Sequence, residues 1–210
     1  MPDSYAYFRL RAPARDARAL LERLSEQTLP AWERAGARCW GIWQGLFGVA
    51  SNELLVMAAA PGEHLDQSVP AALPADAELA DSLALHSTAR PLSIGPLPPE
   101  GLYVFRFFDV RLGDCDEILA LSTEAWESFE DTDRYASRPE GLFRPHGDGG
   151  DTGRMLLVTW YDGFASWQAS RTPAPEARDN FRRRHALTAG TVAYATRLLA
   201  PWRPQTNQPR

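Results

Sequence analysis

Phe105-Arg106-Phe107, Ala125-Trp126-Glu127, Gly141-Leu142-Phe143 and Leu156-Leu157-Val158 repeat, in the same order, an earlier series in the chain: Phe8-Arg9-Leu10, Ala31-Trp32-Glu33, Gly45-Leu46-Phe47 and Leu54-Leu55-Val56. A weaker fifth match pairs Ser87-Thr88-Ala89-Arg90 with Tyr194-Ala195-Thr196-Arg197. One such tripeptide would be chance in a chain rich in Ala and Leu. Five in order, at similar spacings, read as an internal duplication. The expected organisation is a first unit over residues 1–94, a Pro-rich linker over 95–101, a second unit over 102–200 and a loose polar tail over 201–210.

Hydrophobic periodicity falls into the same sequence of elements twice. Tyr5 to Ala12 alternates, with Ala6, Phe8 and Leu10 on one face, as a half-buried strand does. From Arg15 to about Ala35, Ala17, Leu20, Leu21, Leu24 and Thr28 follow the helical period, and Pro30 should kink or end the last turn. Arg38–Phe47 and Glu53–Ala60 read as a hairpin, 62–80 as a short poor helix, and Leu83–Leu92 as the closing strand. The second unit reads as a strand over Leu102–Leu112 and a helix over Asp114–Phe129 with Asp114 as its cap. Strands over Gly141–His146 and Arg154–Tyr161, a helical region over Phe164–Ala189 broken near Pro173 and Pro175, and a strand over Thr191–Leu199 complete it. Each unit is βαββαβ, the ferredoxin-like arrangement.

Hydrophobic residues make up 44% and charged residues 23% of the 210, enough to form a core without staples. A net charge of −5 argues against nucleic acid or an anionic membrane as partner, since both require a basic surface. Every basic residue is arginine, which fits a GC-rich coding genome. Cys39 and Cys115 have no CxxC or Cys/His spacing, so neither a zinc site nor a disulfide framework is expected. The opening Met1-Pro2-Asp3-Ser4 shows no signal-peptide pattern, and no apolar run is long enough to span a bilayer. A cytoplasmic, bacterial protein is the expectation. No GxGxxG, P-loop, HExxH or GxSxG pattern occurs, and Gly147-Asp148-Gly149-Gly150-Asp151 lacks the spacing of a calcium loop, so no nucleotide cofactor or metal is expected.

Two βαββαβ units in one chain resemble the dimeric α+β barrel superfamily, here as a fused pseudo-dimer. Within it the chain is most similar to the NIPSNAP family. The residues carrying this are Phe105-Arg106-Phe107-Phe108 and the segment from Leu156 through Thr159-Trp160-Tyr161-Asp162-Gly163-Phe164 to Trp167 and Arg171, a strand leading into a short Trp-containing helix. The first unit departs from the pattern, with Pro-Gly-Glu-His following Leu54–Ala60. The resemblance implies the barrel fold. It leaves the activity open among cofactor-independent monooxygenases, isomerases, haem-handling enzymes and non-catalytic binders or scaffolds.

In such a barrel one face of each sheet packs on helices and the other faces the opposing sheet. Matching the two Phe-Arg landmarks places Arg9 and Arg106 on the interior face, near a pseudo-twofold axis. They would serve either as structural ion pairs with Glu53, Asp109 or Asp162, or as anchors for an anionic or carbonyl-bearing ligand. His146, beside the 147–153 loop, and Tyr161 are the candidates for proton transfer. Trp126 and Trp160 are candidate walls of an apolar pocket between sheet and helices in the second unit, sized for an apolar or aromatic small molecule. Haem is the one cofactor alternative, with His146, His86 or His185 as its axial donor. His185 and its neighbours Arg182–Arg184 also suit a helix C-terminus on dipole grounds alone. Trp40 and Trp43, three apart, should face opposite ways. His64 is assigned no role. A fused pair is compatible with a monomer or with a homo-oligomer.

Overall fold

The computed structural model describes residues 3–62, 65–146 and 150–201, so His64, most of the Gly-Asp loop and the tail beyond Pro201 lie outside the described residues. The first unit consists of β1 (Ser4–Arg11), α1 (Arg18–Arg23), a π-helical turn (Leu24–Thr28), α2 (Leu29–Arg34), β2 (Arg38–Phe47), β3 (Glu53–Ala60), α3 (Ser68–Ala71) and β4 (Glu78–Ser87). The second consists of β5 (Leu102–Arg111), α4 (Cys115–Glu130), β6 (Ser137–Pro145), β7 (Thr152–Tyr161), α5 (Phe164–Ala169), α6 (Pro175–Ala186) and β8 (Thr188–Pro201). The eight strands close into one antiparallel barrel in the order β1-β3-β2-β8-β5-β7-β6-β4. Each unit contributes a ferredoxin-like sheet, β4-β1-β3-β2 and β8-β5-β7-β6. The seams are β2 with β8 and β4 with β6. The expected pseudo-dimeric α+β barrel is therefore the observed fold.

Several local expectations change. The first helix passes Pro30 without ending. A proline there cannot donate to the carbonyl one turn back and its ring crowds it, and the wider π turn just before it accommodates the defect. Asp114 precedes α4 but makes no side-chain cap bond, because a short 3₁₀ turn over Leu112–Asp114 leads into the helix. The fourth strand starts at Glu78 and ends at Ser87, not Leu83–Leu92; its first half is exposed, so no apolar alternation marks it. β6 starts at Ser137 and includes Pro139, which sits at a register shift, where a strand tolerates a missing donor.

The barrel lumen is filled. Tyr5, Tyr7, Trp40, Trp43, Tyr103, Phe105, Phe107 and Phe143 form one buried aromatic cluster with Leu55, Met57, Leu156 and Val158. Trp40 and Trp43 both point inward, their rings 5.8 Å apart, because a bulge between Cys39 and Gly41 adds a residue and cancels the alternation. Gly41 is overlain by the Trp43 ring, and Gly141 by the ring of Phe143. Each of these glycines also follows a register shift. They are the true structural equivalents, rather than Gly45 and Gly141. The opposite face of each sheet packs on its helices. In the first unit Phe8, Leu10, Ile42 and Val56 meet Leu20, Leu24 and Trp32. In the second Phe108, Leu142 and Leu157 meet Ile118 and Trp126.

One buried acid ties the ends of the first sheet together. Glu53 has no exposed surface and accepts from Arg9 Nε (2.7 Å) and Arg11 Nε (2.9 Å). Arg9 also reaches the Tyr194 hydroxyl (3.0 Å) on β8 of the other unit. Burial alone would raise the Glu53 pKa, but the two guanidinium hydrogen bonds outweigh it and hold the carboxyl below its usual value. Because the folded pKa lies below the unfolded one, this stabilisation is present above the ordinary carboxylate range and is lost as pH falls through the folded value. Glu53→Gln should cost about 3 kcal/mol in urea denaturation at pH 7, and much less at pH 3. Equal losses at both pH values would rule out the ionic origin. In the same assay Gly41→Ala and Gly141→Ala should each cost about 1–3 kcal/mol, since the added methyl displaces an aromatic ring in a packed lumen.

Candidate functional site

The sheet registers decide where the landmark arginines lie. The row Gly41–Met57–Tyr7 in the first unit corresponds to Gly141–Val158–Phe105 in the second. Arg9 therefore corresponds to Phe107, and Arg106 to Phe8. The expected pairing of Arg9 with Arg106 is one residue out of register, and a one-residue slip turns a side chain to the other face of the sheet. Arg9 lies on the lumen side and forms the ion pair with Glu53. Arg106 lies on the helix side, not near the pseudo-twofold axis.

There Arg106 enters a cavity of about 270 Å³ between the second sheet and its helices. The floor is Val104, Arg106 and Phe108 of β5 with Leu157, Thr159 and Tyr161 of β7. Trp126 and Phe129 of α4 form one wall. Phe181, Arg184 and His185 of α6 form the other, with Arg171 and Arg178 at the rim. The layer that Phe8, Leu10 and Trp32 fill in the first unit is thus opened in the second by a guanidinium in place of a ring.

The cavity's charge is one-sided. Among the described residues no carboxylate lines it, and none of Arg106, Arg171, Arg178 and Arg184 makes an ion pair. Arg184 is buried; one of its nitrogens donates to Ser122 Oγ at 3.1 Å, and its guanidinium lies 4.9 Å from the ring centroids of Phe108 and of Phe181. Burial first, and the charge of Arg106 second, push its pKa down to about 10. Burial and the neighbouring charge of Arg171 likewise lower that of Arg106. The Tyr161 phenol goes the other way. Burial raises its pKa, against a hydrogen bond with Ser170 and the charges of Arg106, Arg171 and Arg184. The phenol is therefore a proton donor here. Buried cations without a counterion are unfavourable, and an oxyanion between them would relieve both desolvation and repulsion.

Of the residues singled out from sequence, Arg106, Trp126 and Tyr161 come together in this cavity. Arg9, His146 and Trp160 do not. The His146 ring hydrogen-bonds His86 across the β4–β6 seam and borders a separate cleft with Ser4, Leu65 and Ala84. The fifth landmark match is displaced as well: the position equivalent to Tyr194 is Leu83, not Ser87. Trp160 packs at the lumen end, donating to the Glu100 carbonyl at 2.6 Å. Arg184 and Phe181 were not among the sequence candidates. They fall with Ala177 at helical spacing on α6, a buried face that the surrounding arginines mask.

The residues lining this cavity do not fit haem. A haem pocket needs a broad slot and an axial donor facing it. The cavity is small and crossed by Arg106 and Arg184, and its one imidazole, His185, is exposed at the rim. Among the described residues no group of three or more His, Cys, Asp or Glu is placed to hold a metal ion. No helix is long and apolar enough to cross a membrane.

No protein-family model and no curated protein sequence matches the chain. Solved structures do match. A candidate monooxygenase of Fusobacterium nucleatum shares the fold with a TM-score of 0.60 and 12% identity, over 95% of this chain and 93% of that one. A candidate chlorite dismutase gives 0.62 and 13%, over 95% and 96%. An uncharacterised ferredoxin-fold protein of Listeria monocytogenes, related to antibiotic biosynthesis monooxygenases, gives 0.54 and 13%, over 93% and 95%. At these identities the likeness is one of fold: a ferredoxin-like dimeric α+β barrel over nearly the whole chain.

Replacing Arg106 with Met removes a half-buried charge that has no acid beside it and preserves most of the volume. Arg106→Met should leave the ligand-free protein as stable as the parent or more stable by about 1 kcal/mol, read as the urea midpoint. A loss of 2 kcal/mol or more would instead mark Arg106 as part of the structural framework.

Proposed function

We propose that the second unit binds a small organic anion in the Arg106 cavity and acts on it through an enolate or phenolate, as a cofactor-independent oxygenase or isomerase. The observation carrying this reading is the pair of arginines, Arg106 and Arg184, held in an aromatic-walled cavity with no carboxylate. The resemblance of the second unit to the NIPSNAP family and the monooxygenase names of the structural neighbours support small-molecule chemistry in this fold.

The chemistry follows from the residues. Arg106 and Arg184 place N–H donors and positive charge where a carboxylate or a developing oxyanion sits, and preorganised charge in a low-dielectric cavity lowers the barrier to forming that oxyanion. Trp126, Phe129 and Phe181 hold an aromatic or aliphatic body by packing. Tyr161, kept protonated, donates to the same oxygen. His185 is the one imidazole lining the cavity and takes the proton from carbon. Its return to a different carbon completes an isomerisation. Reaction of the carbanion with dioxygen, the oxidant, begins an oxygenation.

A non-catalytic binder is the second reading, favoured by the lack of any carboxylate base in the cavity. Deuterium exchange at the acidic carbon of a panel of β-keto and phenolic acids, followed by NMR in D2O, separates the two. Catalysis predicts accelerated exchange that falls at least 100-fold in Arg106→Met and in His185→Gln, with binding by His185→Gln unchanged. Binding without accelerated exchange in the parent would leave only the binder.

A further inference from the structure

Val104 and Arg106 have a second open side. Away from the α4–α6 cavity they border a cleft of about 330 Å³ over β8, where Phe47, Phe164, Trp167, Ala193 and Ala195 complete most of the lining. Among the described residues Arg106 is the only charged one lining it. The floor is open because β8 presents alanines there. The lip is built from both units: Phe47 ends β2 and pairs with Ala195 across the seam, while Phe164 begins α5. Their rings meet edge to face at 5.7 Å, yet Phe47 is 66% exposed and Phe164 46%. Two large aromatic rings in edge-to-face contact at the mouth of an apolar cleft, and left largely in water, are a surface whose burial by a ligand is favourable.

The two spaces differ in chemistry and share one guanidinium. One offers cations and no acid; the other offers aromatic and aliphatic carbon. We infer that the ligand is an amphiphilic organic anion, with its carboxylate between Arg106 and Arg184 and its apolar body laid along β8 beneath Phe47 and Phe164. The first unit then contributes to the site through Phe47. This inference rests on the anion reading above and specifies the molecule.

Isothermal titration with straight-chain carboxylates from butanoate to decanoate tests it, with 1-decanol as the uncharged control. Affinity should rise about fourfold per methylene until the cleft is filled. Phe47→Ala, a change at an exposed ring, should leave butanoate binding unchanged and weaken decanoate at least tenfold. Arg106→Met should weaken every member, and 1-decanol should bind at least tenfold more weakly than decanoate. A flat chain-length series, or equal weakening of butanoate and decanoate by Phe47→Ala, overturns the inference while Arg106-dependent binding of short acids keeps the anion reading. Failure of every carboxylate to bind overturns both.

Discussion

Closing eight strands leaves an interior just wide enough to be filled by side chains, and the rest of this molecule follows from how that interior is filled. Both units send aromatic rings into it, and Trp43 and Phe143 lie over glycines because the space admits nothing more there. A lumen so packed transmits strain and admits no ligand of useful size. It also carries a cost: the hydroxyls of Tyr5 and Tyr7 and the indole N–H groups of Trp40 and Trp43 have no hydrogen-bond partner among the described residues. Burial of the surrounding rings, at roughly 1.5–3 kcal/mol for a large apolar side chain, offsets that penalty. With the lumen filled, the cavities lie outside it.

Each unit has a layer between its sheet and its helices, and the two treat it differently. In the first, Phe8 packs on Trp32, whose indole N–H is satisfied by the Val69 carbonyl at 2.8 Å, so a ring stands where the second unit has a guanidinium. In the second, Arg106 takes the place of Phe8 and Arg184 comes down from α6 to face it. A guanidinium fills less of a hydrophobic layer than a phenyl ring and cannot shed its charge there. The cavity is the direct consequence of that exchange. The first unit is left as a wall and brace: Arg90, just past β4, clamps Glu130 of α4 with two hydrogen bonds (2.7 and 2.8 Å) and stacks on Trp126, fixing one side of the second unit's cavity.

The duplication, the ferredoxin-like order and the hairpin β2–β3 were legible because they rest on periodicity and on repeated landmarks, which survive small errors of alignment. The face of Arg106 was not. Phe8-Arg9 and Phe105-Arg106 look alike, but a match displaced by a single residue inverts a strand, and only the pairing of β5 with β7 fixes the register. The same holds for Trp40 and Trp43, whose common direction depends on a bulge that no local pattern announces. A pocket between sheet and helices in the second unit was expected with Trp126 and Trp160 as walls; Trp126 lines the cavity there and Trp160 does not. Arg184 was hidden because a run of arginines near a helix end has a sufficient explanation in the helix dipole. Periodicity could have found it, since Ala177, Phe181 and Arg184 share one helical face.

Ion pairing elsewhere in the chain shows that this composition does not lack acids. Arg9 and Arg11 share Glu53, Arg154 bridges Asp109 and Asp81, and Arg90 holds Glu130. The fold thus satisfies its structural arginines with carboxylates placed on neighbouring strands or helices. Arg106 and Arg184 stand apart: among the described residues no carboxylate pairs with either, and Arg184 is given only a serine hydroxyl and two aromatic faces. A structural brace would gain from an acid at Thr159 or Thr191, both lining the cavity, and the chain has none there. Among the described residues the charge around this cavity is positive and unanswered by a carboxylate, and the anion reading rests on that imbalance.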